Sequence, residues 1–188
     1  MTALPGPDGV LRCAWALASD DYMEYHDHEW GRPVRGEAAL FERLSLEGFQ
    51  SGLSWITILR KREAFRQAFA GFDPATVAAF GETDVARLMD NPGIVRNAAK
   101  IRATIANARA LLALGEGQPL EDLLEKHRPP VNAAPGTAAD IPPSTAESAS
   151  LSRELRARGF RFVGPVTAYA MMQATGYVND HLADCAFR

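Results

Sequence analysis

Two cysteines and two histidines raise the first chemical question. Cys13 lies near the start of the 188-residue sequence and Cys185 near its end, and the chain has no other cysteine. His26 follows Cys13 by thirteen residues. His181 precedes Cys185 by four, a spacing that puts both on one face of any helical turn. Two thiolates and two imidazoles make a closed tetrahedral zinc shell, with no position left for a catalytic water. Such a zinc is structural, and it staples two ends of a chain that would otherwise fray. Plainer assignments are a Cys13–Cys185 disulfide, disfavoured in a reducing compartment, or two unrelated buried thiols. On spacing alone, His28 serves as well as His26.

A second group of residues is aromatic. Trp15, Tyr22, Tyr25 and Trp30 crowd one short stretch, and Trp55 follows in GLSW. Large aromatics dominate ordinary cores. The same rings also make a stacking pocket for a flat ligand, best of all a cationic one. Glu47 lies close by, between Leu46 and Gly48 on an otherwise apolar helix. A glutamate is usually solvated at a helix edge. An inward carboxylate would instead read hydrogen-bond donors inside such a pocket.

The third group is RGFRFVGPVTAYAMMQATG, which reads as a helix end, a turn through Val163, Gly164 and Pro165, and a new helix. The free N–H groups of that helix start suit a phosphate. Arg153, Arg156, Arg158 and Arg161 add a local positive field, although the net charge is −3. The alternative is an antiparallel helix pair with a solvated arginine face.

The elements that must position these residues are helices. Apolar spacing predicts them over 37–50, 54–72, 74–80, 82–90, 94–115, 120–127, 146–159 and 164–176. Asp73-Pro74 marks one start and Gly115 one stop. No alternating strand pattern appears, and 128–145 reads as a Pro- and Ala-rich crossing. Apolar residues are 47% of the chain and charged ones 23%, as in an ordinary globular protein. One domain over 1–188 is expected, with 1–11 as a flexible extension. No run of eighteen apolar residues is present, so no membrane span is expected. The opening residues lack a basic stretch followed by an apolar run, so a cytoplasmic location is expected.

In this order, RCAW, YHDHEWG, LEGFQSGLSWITIL, FDPATVA, NPGIVRNAAKI, RGFRFVGPVTAYAMMQATG and VNDHLADC resemble the DNA-3-methyladenine glycosylase I family, from about Arg12 to the C-terminus. The resemblance implies an all-α fold like that of the helix-hairpin-helix DNA glycosylases. It also implies a zinc site joining the N- and C-terminal segments, with Cys13, His26, His181 and Cys185 as ligands. The family's base-pocket glutamate falls on Glu47. Its pocket aromatics fall on Tyr22, Tyr25 and Trp55, with Trp15 and Trp30 nearby, and its hairpin on Val163, Gly164 and Pro165. Phe49 departs from a polar residue found in some relatives, which touches only the pocket rim. The expected substrate is alkylated double-stranded DNA, the product free 3-methyladenine, and the active form a monomer. Arg158 and Arg161 are the expected phosphate contacts, and one structural zinc the expected cofactor.

The resemblance also bears on substrate range. Wider relatives place an aspartate shortly after the hairpin helix. In Tyr177-Val178-Asn179-Asp180 that position falls on Asn179, with Asp180 as the competitor. An uncharged Asn179 would confine the enzyme to bonds already weakened by alkylation. The rival readings are a zinc-stapled helical DNA-binding module that does no chemistry, and a hydrolase with a catalytic zinc. A shell of four protein ligands argues against the latter.

Overall fold

The computed structural model describes residues 2–115, 119–131 and 133–188, and among them α-helices account for nearly all regular structure. They are α1 (Asp20–His28), α2 (Glu37–Gln50), α3 (Trp55–Ala68), α4 (Pro74–Ala78), α5 (Glu82–Asp90), α6 (Ala98–Leu114), α7 (Leu120–Lys126), α8 (Ala146–Ala157) and α9 (Pro165–Ala174). The centre of the fold is α2, packed against α3, α7 and α9. It is buried without a break from Leu40 to Phe49. Its charged residues must therefore find partners or bear the cost of burial. Glu42 takes the Arg66 guanidinium of α3 at 2.9 Å, and Arg43 takes Glu29 at 2.6 Å. Glu47 has no comparable partner among the described residues.

Several boundaries follow local chemistry that apolar spacing does not report. Helix α3 stops at Ala68, and Ala70, Gly71 and Phe72 turn with positive φ. That turn buries Phe72 completely and stacks it on Phe69 at 5.5 Å between centroids. Helix α6 begins at Ala98 and not near Ile94, because the Asn97 side chain caps it by accepting from Lys100 N at 3.1 Å. The buried Lys100 ammonium then donates to Phe49 O at 2.8 Å and Ser51 O at 2.5 Å, closing the C-terminus of α2.

Two expectations are corrected. Helix α1 had no counterpart in the apolar pattern, yet Ser19 caps it by accepting from Tyr22 N at 3.3 Å, with Asp20 and Asp21 in its first turn. Nor are the first residues without strand. Leu4–Pro5 (β1) pairs antiparallel with Leu11–Arg12 (β2) around the turn at Asp8-Gly9. Ala3 N donates to Asp184 at 3.2 Å, and Ala186 N to Leu11 O at 2.9 Å. A two-residue strand is too short to show alternation, so the sequence pattern missed it. No helix among the described residues is long and apolar enough to cross a membrane.

Candidate active site and metal centre

Four helices and one short turn converge on a cavity of about 390 Å³. The 3₁₀ turn Ala14–Ala18 supplies Trp15, α1 supplies Tyr22 and Tyr25, and Trp30 follows α1 closely. Helix α2 adds Glu47 and Gln50, the first residue of α3 is Trp55, and α9 adds Ala170 and Gln173. All five aromatic residues singled out in the sequence therefore meet Glu47 at one cavity. Trp15 stands edge-on to Tyr22 at 5.6 Å and to Trp30 at 5.2 Å, and Tyr25 tilts against Trp55 at 5.4 Å. The Tyr22 hydroxyl accepts from Ile56 N at 2.9 Å, which fixes that ring to the start of α3.

Glu47 is 6% exposed, and its carboxylate takes no hydrogen bond from a described residue. Burial pushes its pKa up to about 8, against the partial opposition of the Arg43 charge. Its neighbour in charge has the opposite fate. Burial also works against ionised Glu29, but the Arg62 and Arg43 guanidiniums overcome it and hold its pKa at about 2. The Trp55 indole N–H is a second buried group with no partner. Apart from the carboxylate of Glu47, the cavity's side-chain polar lining is aromatic or amide.

Gln50 and Gln173 line the cavity as well, and the sequence reading missed both. A signal for Gln173 existed, since it is the lone amide in the run AYAMMQA. Its Nε2 donates to Asp180 Oδ2 at 2.7 Å, and the Tyr169 hydroxyl donates to the same oxygen at 2.6 Å. Neither Asn179 nor Asp180 lines the cavity. Asn179 is exposed and accepts from His181 N at 3.2 Å. Asp180 reaches the cavity only through Gln173.

Beside this cavity, Cys13, His26, His181 and Cys185 bring their ligand atoms within 4.8 Å of one another, all buried. Cys185 Sγ is 3.5 Å from both His26 Nε2 and His181 Nδ1, and the two nitrogens are 3.1 Å apart. Two donors on a tetrahedral zinc lie roughly 3.3–3.8 Å apart. The two Cys185 distances fall in that range, while the nitrogens are closer and Cys13 Sγ stands 4.0 Å from His181 Nδ1, so modest side-chain adjustment would close the four around one ion. The outer ring nitrogens are also committed. His26 Nδ1 donates to Asp27 at 2.8 Å, and His181 Nε2 donates to Trp30 O at 3.1 Å. That leaves the inward nitrogen of each ring as a lone pair. Asp27 is anchored in turn by Arg12 Nε at 2.9 Å. Burial drives the His181 pKa down to about 4, so its ring is a neutral donor. Burial raises the Cys13 thiol to about 12, so a thiolate there needs a cation beside it. The cluster could hold a metal ion. His28, the alternative on spacing, is exposed and paired with Glu24 at 3.0 Å. His181–Cys185 is not helical: the segment is a tight turn closed by Cys185 N to Leu182 O at 2.9 Å.

Between α8 and α9 the chain reverses through 158–164. Gly159 stands at φ +94°, where a side chain would be strained. Asn107 of α6 pins Arg161 in both directions, accepting from its N at 2.7 Å and donating to its O at 3.0 Å. Ser152 Oγ donates to Val163 O at 2.6 Å, Gly164 precedes α9, and Pro165 opens it. This turn packs on α2 one residue beyond Glu47, where a Cβ on Gly48 would touch Phe162 at 3.7 Å. Arg153, Arg156 and Arg161 are exposed around it, whereas Arg158 donates to Glu154 at 2.9 Å.

Residues 15–188 match the family model for methyladenine glycosylase. The chain belongs to that family. It is 48% identical to DNA-3-methyladenine glycosylase 1 of Escherichia coli K12 over 93% of this chain and 95% of the relative. A crystal structure of 3-methyladenine DNA glycosylase I superposes with a TM-score of 0.89 at 44% identity, covering 93% of this chain and 98% of that one. The Staphylococcus aureus 3-methyladenine DNA glycosylase I, solved to explain how it recognises 3-methyladenine, superposes at 0.88 with 35% identity, over 93% and 95%. In this methyladenine glycosylase the mostly helical fold agrees with the resemblance drawn from its motifs.

Proposed function

We propose that the protein is a monofunctional DNA glycosylase that flips 3-methyladenine out of alkylated double-stranded DNA and hydrolyses its N-glycosidic bond. The observation that carries this reading is Glu47, a buried carboxylate without a partner, facing an aromatic cavity beside Tyr22, Tyr25 and Trp55. Adenine methylated at N3 in DNA is cationic and leaves as a neutral base: the C1′–N9 bonding pair enters the ring, water's oxygen bonds C1′, and the water proton passes to solvent. The enzyme need not protonate the leaving group. It must pay a few kcal/mol of unstacking. A cationic ring against Trp and Tyr faces recovers about 0.5–2 kcal/mol. The same cation draws the Glu47 proton off, and the carboxylate then accepts from the exocyclic amine and offsets the ring charge. Trp15 and Trp30 complete the aromatic lining, with Trp15 against Tyr22 at 5.6 Å.

Phosphates would sit against the turn Val163-Gly164-Pro165, read here as the hairpin of a helix-hairpin-helix, with Arg161 alongside, while Arg158, the other expected contact, is engaged by Glu154. Cys13, His26, His181 and Cys185 would hold one structural zinc, which ties the N- and C-terminal segments together. The protein would act as a cytoplasmic monomer. Because Glu47 is the only carboxylate lining the cavity among the described residues, narrow specificity for weakened bonds is the reading we favour. The test is single-turnover release of free base from methylated duplex DNA. Release of 3-methyladenine, with uracil and 8-oxoguanine left in place, is expected. Duplex binding without any base released would instead establish a non-catalytic binding module.

A further inference from the structure

We propose that Gln173 is a specificity residue and that Asp180 positions it, fixing its amide so that the carbonyl oxygen faces the cavity and selects alkylated purines with an amine at C6 over those with a carbonyl at C6. The proposal rests on reading the cavity as the base pocket. A glutamine amide can present either end, so something must decide which. An ionised carboxylate only accepts, and Asp180 Oδ2 is 2.7 Å from the Gln173 amide nitrogen. The nitrogen is therefore committed, and Oε1, which takes no hydrogen bond from a described residue, is the free end of a side chain on the cavity wall. Asp180 cannot swing away easily, since the Tyr169 hydroxyl holds the same oxygen at 2.6 Å and Tyr169 is buried one turn before Gln173 on α9. Gln50 repeats the logic on α2: its Nε2 donates to Leu53 O at 2.9 Å, an acceptor by nature.

Glu47, Gln50 and Gln173 thus bring three acceptors to one cavity. Such a rim favours the amine of 3-methyladenine. It opposes the carbonyl oxygen of 3-methylguanine, which would meet lone pairs with its own. Glu47 alone would repel that carbonyl, but a single flexible carboxylate can be protonated and then donate. A glutamine held by Asp180 has no such escape, so it makes the discrimination independent of the Glu47 proton.

The experiment compares single-turnover release of 3-methyladenine and 3-methylguanine from duplex DNA by the wild type, Gln173→Leu, Gln173→Met, Asp180→Leu and the Gln173→Leu/Asp180→Leu double variant. The adenine rate is expected to fall about tenfold in each variant, the loss of one hydrogen bond to a charged ligand, while the guanine rate holds or rises. The double variant should be no worse than Gln173→Leu, because Asp180 acts only through Gln173. Binding of the two free bases, read by quenching of the pocket tryptophans, gives the same ratio where guanine release is too slow to time. Equal losses on both substrates would mean general loosening and overturn the proposal, as would additive losses in the double variant. A wild type that releases neither base defeats the underlying reading instead, and Gln173→Met keeps the side-chain volume should Gln173→Leu fold poorly.

Discussion

The metal cluster and the aromatic cavity share walls, yet they treat polar groups in opposite ways. Trp15 is 5.1 Å from the His26 ring and Trp30 4.7 Å from the His181 ring, and both tryptophans also line the cavity. In the cluster, both outer ring nitrogens find a partner, at Asp27 and at the Trp30 carbonyl. Asp27 is itself held by Arg12, and Arg12 by Asp8 at 2.7 Å. In the cavity, Glu47 and the Trp55 indole have no partner. A buried polar group left unmatched costs on the order of 1–3 kcal/mol. Ser45 Oγ and Arg43 Nη1 are also buried without a partner, but away from the cavity lining; at the cavity wall a ligand can complete such groups. The saturated region reads as architecture, and the unsaturated one as the place where something binds.

Glu47→Gln should break that contrast most sharply. Single-turnover release of 3-methyladenine is expected to fall roughly 10²–10³-fold, the usual loss when one group stabilising charge in the transition state goes. Duplex affinity should change little, because phosphates supply most of it. The same change should stabilise the protein in alkaline solution. A glutamate ordinarily titrates near 4.5, and here burial holds the proton up to about 8. Between those values the unfolded chain gives up a proton that the folded protein keeps, so stability falls as pH rises and levels off above about 8. Glutamine has no proton to lose. The variant should melt above the wild type at pH 8.5, with the gap closing as pH drops towards 4.5. Melting curves that stay parallel across that range would return Glu47 to the class of solvated side chains.

Cys185→Ser probes the saturated side. Zinc content should drop, by elemental analysis, and the melting temperature with it, because metal binding at such a site is folding free energy. The shared tryptophans add a second consequence. With the imidazoles released, Trp15 and Trp30 lose the surfaces they rest on, so binding of free 3-methyladenine should weaken several-fold although no pocket residue is altered. A zinc-free protein with unchanged melting would show that the four residues pack without a metal. Intact base binding in a variant that has lost its zinc would show that the two regions share atoms but not function.

How far the sequence told these regions apart depended on what each needs from the chain. Helices α2 and α5 were legible to the residue, α2 as a long run buried from Leu40 to Phe49 and α5 by Val85 and Leu88 at helical spacing. Helix α1 was not, because it serves two sites at once: Tyr22 and Tyr25 face the cavity while His26 faces the cluster, and no single apolar stripe survives. Its signal was polar, the Ser19-Asp20-Asp21 cap. Glu47 stood out as a charge inside an apolar run, and the five aromatics by their density. Gln173 needed the third dimension, since its importance comes from Asp180, and nothing in spacing says that the two amides turn the same end inward. The four cluster residues were legible by type, but the choice of His26 over His28 came from the resemblance. The structure accounts for that choice through burial and through the Asp27 contact.

The smallest effects belong to the turn between α8 and α9, where the same test of saturation separates two arginines that the sequence grouped together. Arg158 donates to Glu154, a carboxylate that also takes Lys126 at 2.9 Å and His127 at 2.7 Å. Its charge is already spent within the protein. The Arg161 backbone is clamped by Asn107, while its side chain is exposed with no carboxylate in reach among the described residues. It is a fixed mount for a free cation. Arg161→Ala should therefore weaken binding to undamaged duplex DNA by roughly threefold to tenfold and reduce the salt slope by about 0.9, the signature of one lost phosphate contact. Arg158→Ala should leave the slope nearly unchanged, since Glu154 and not a phosphate receives its guanidinium. Exposed ion pairs contribute about 0–1 kcal/mol, so its cost in melting temperature should also be slight. Binding titrations of both variants across a salt series decide the matter. If Arg158→Ala flattens the slope more than Arg161→Ala, then Glu154 releases its partner to DNA, and saturation in the free protein does not mark architecture at this turn.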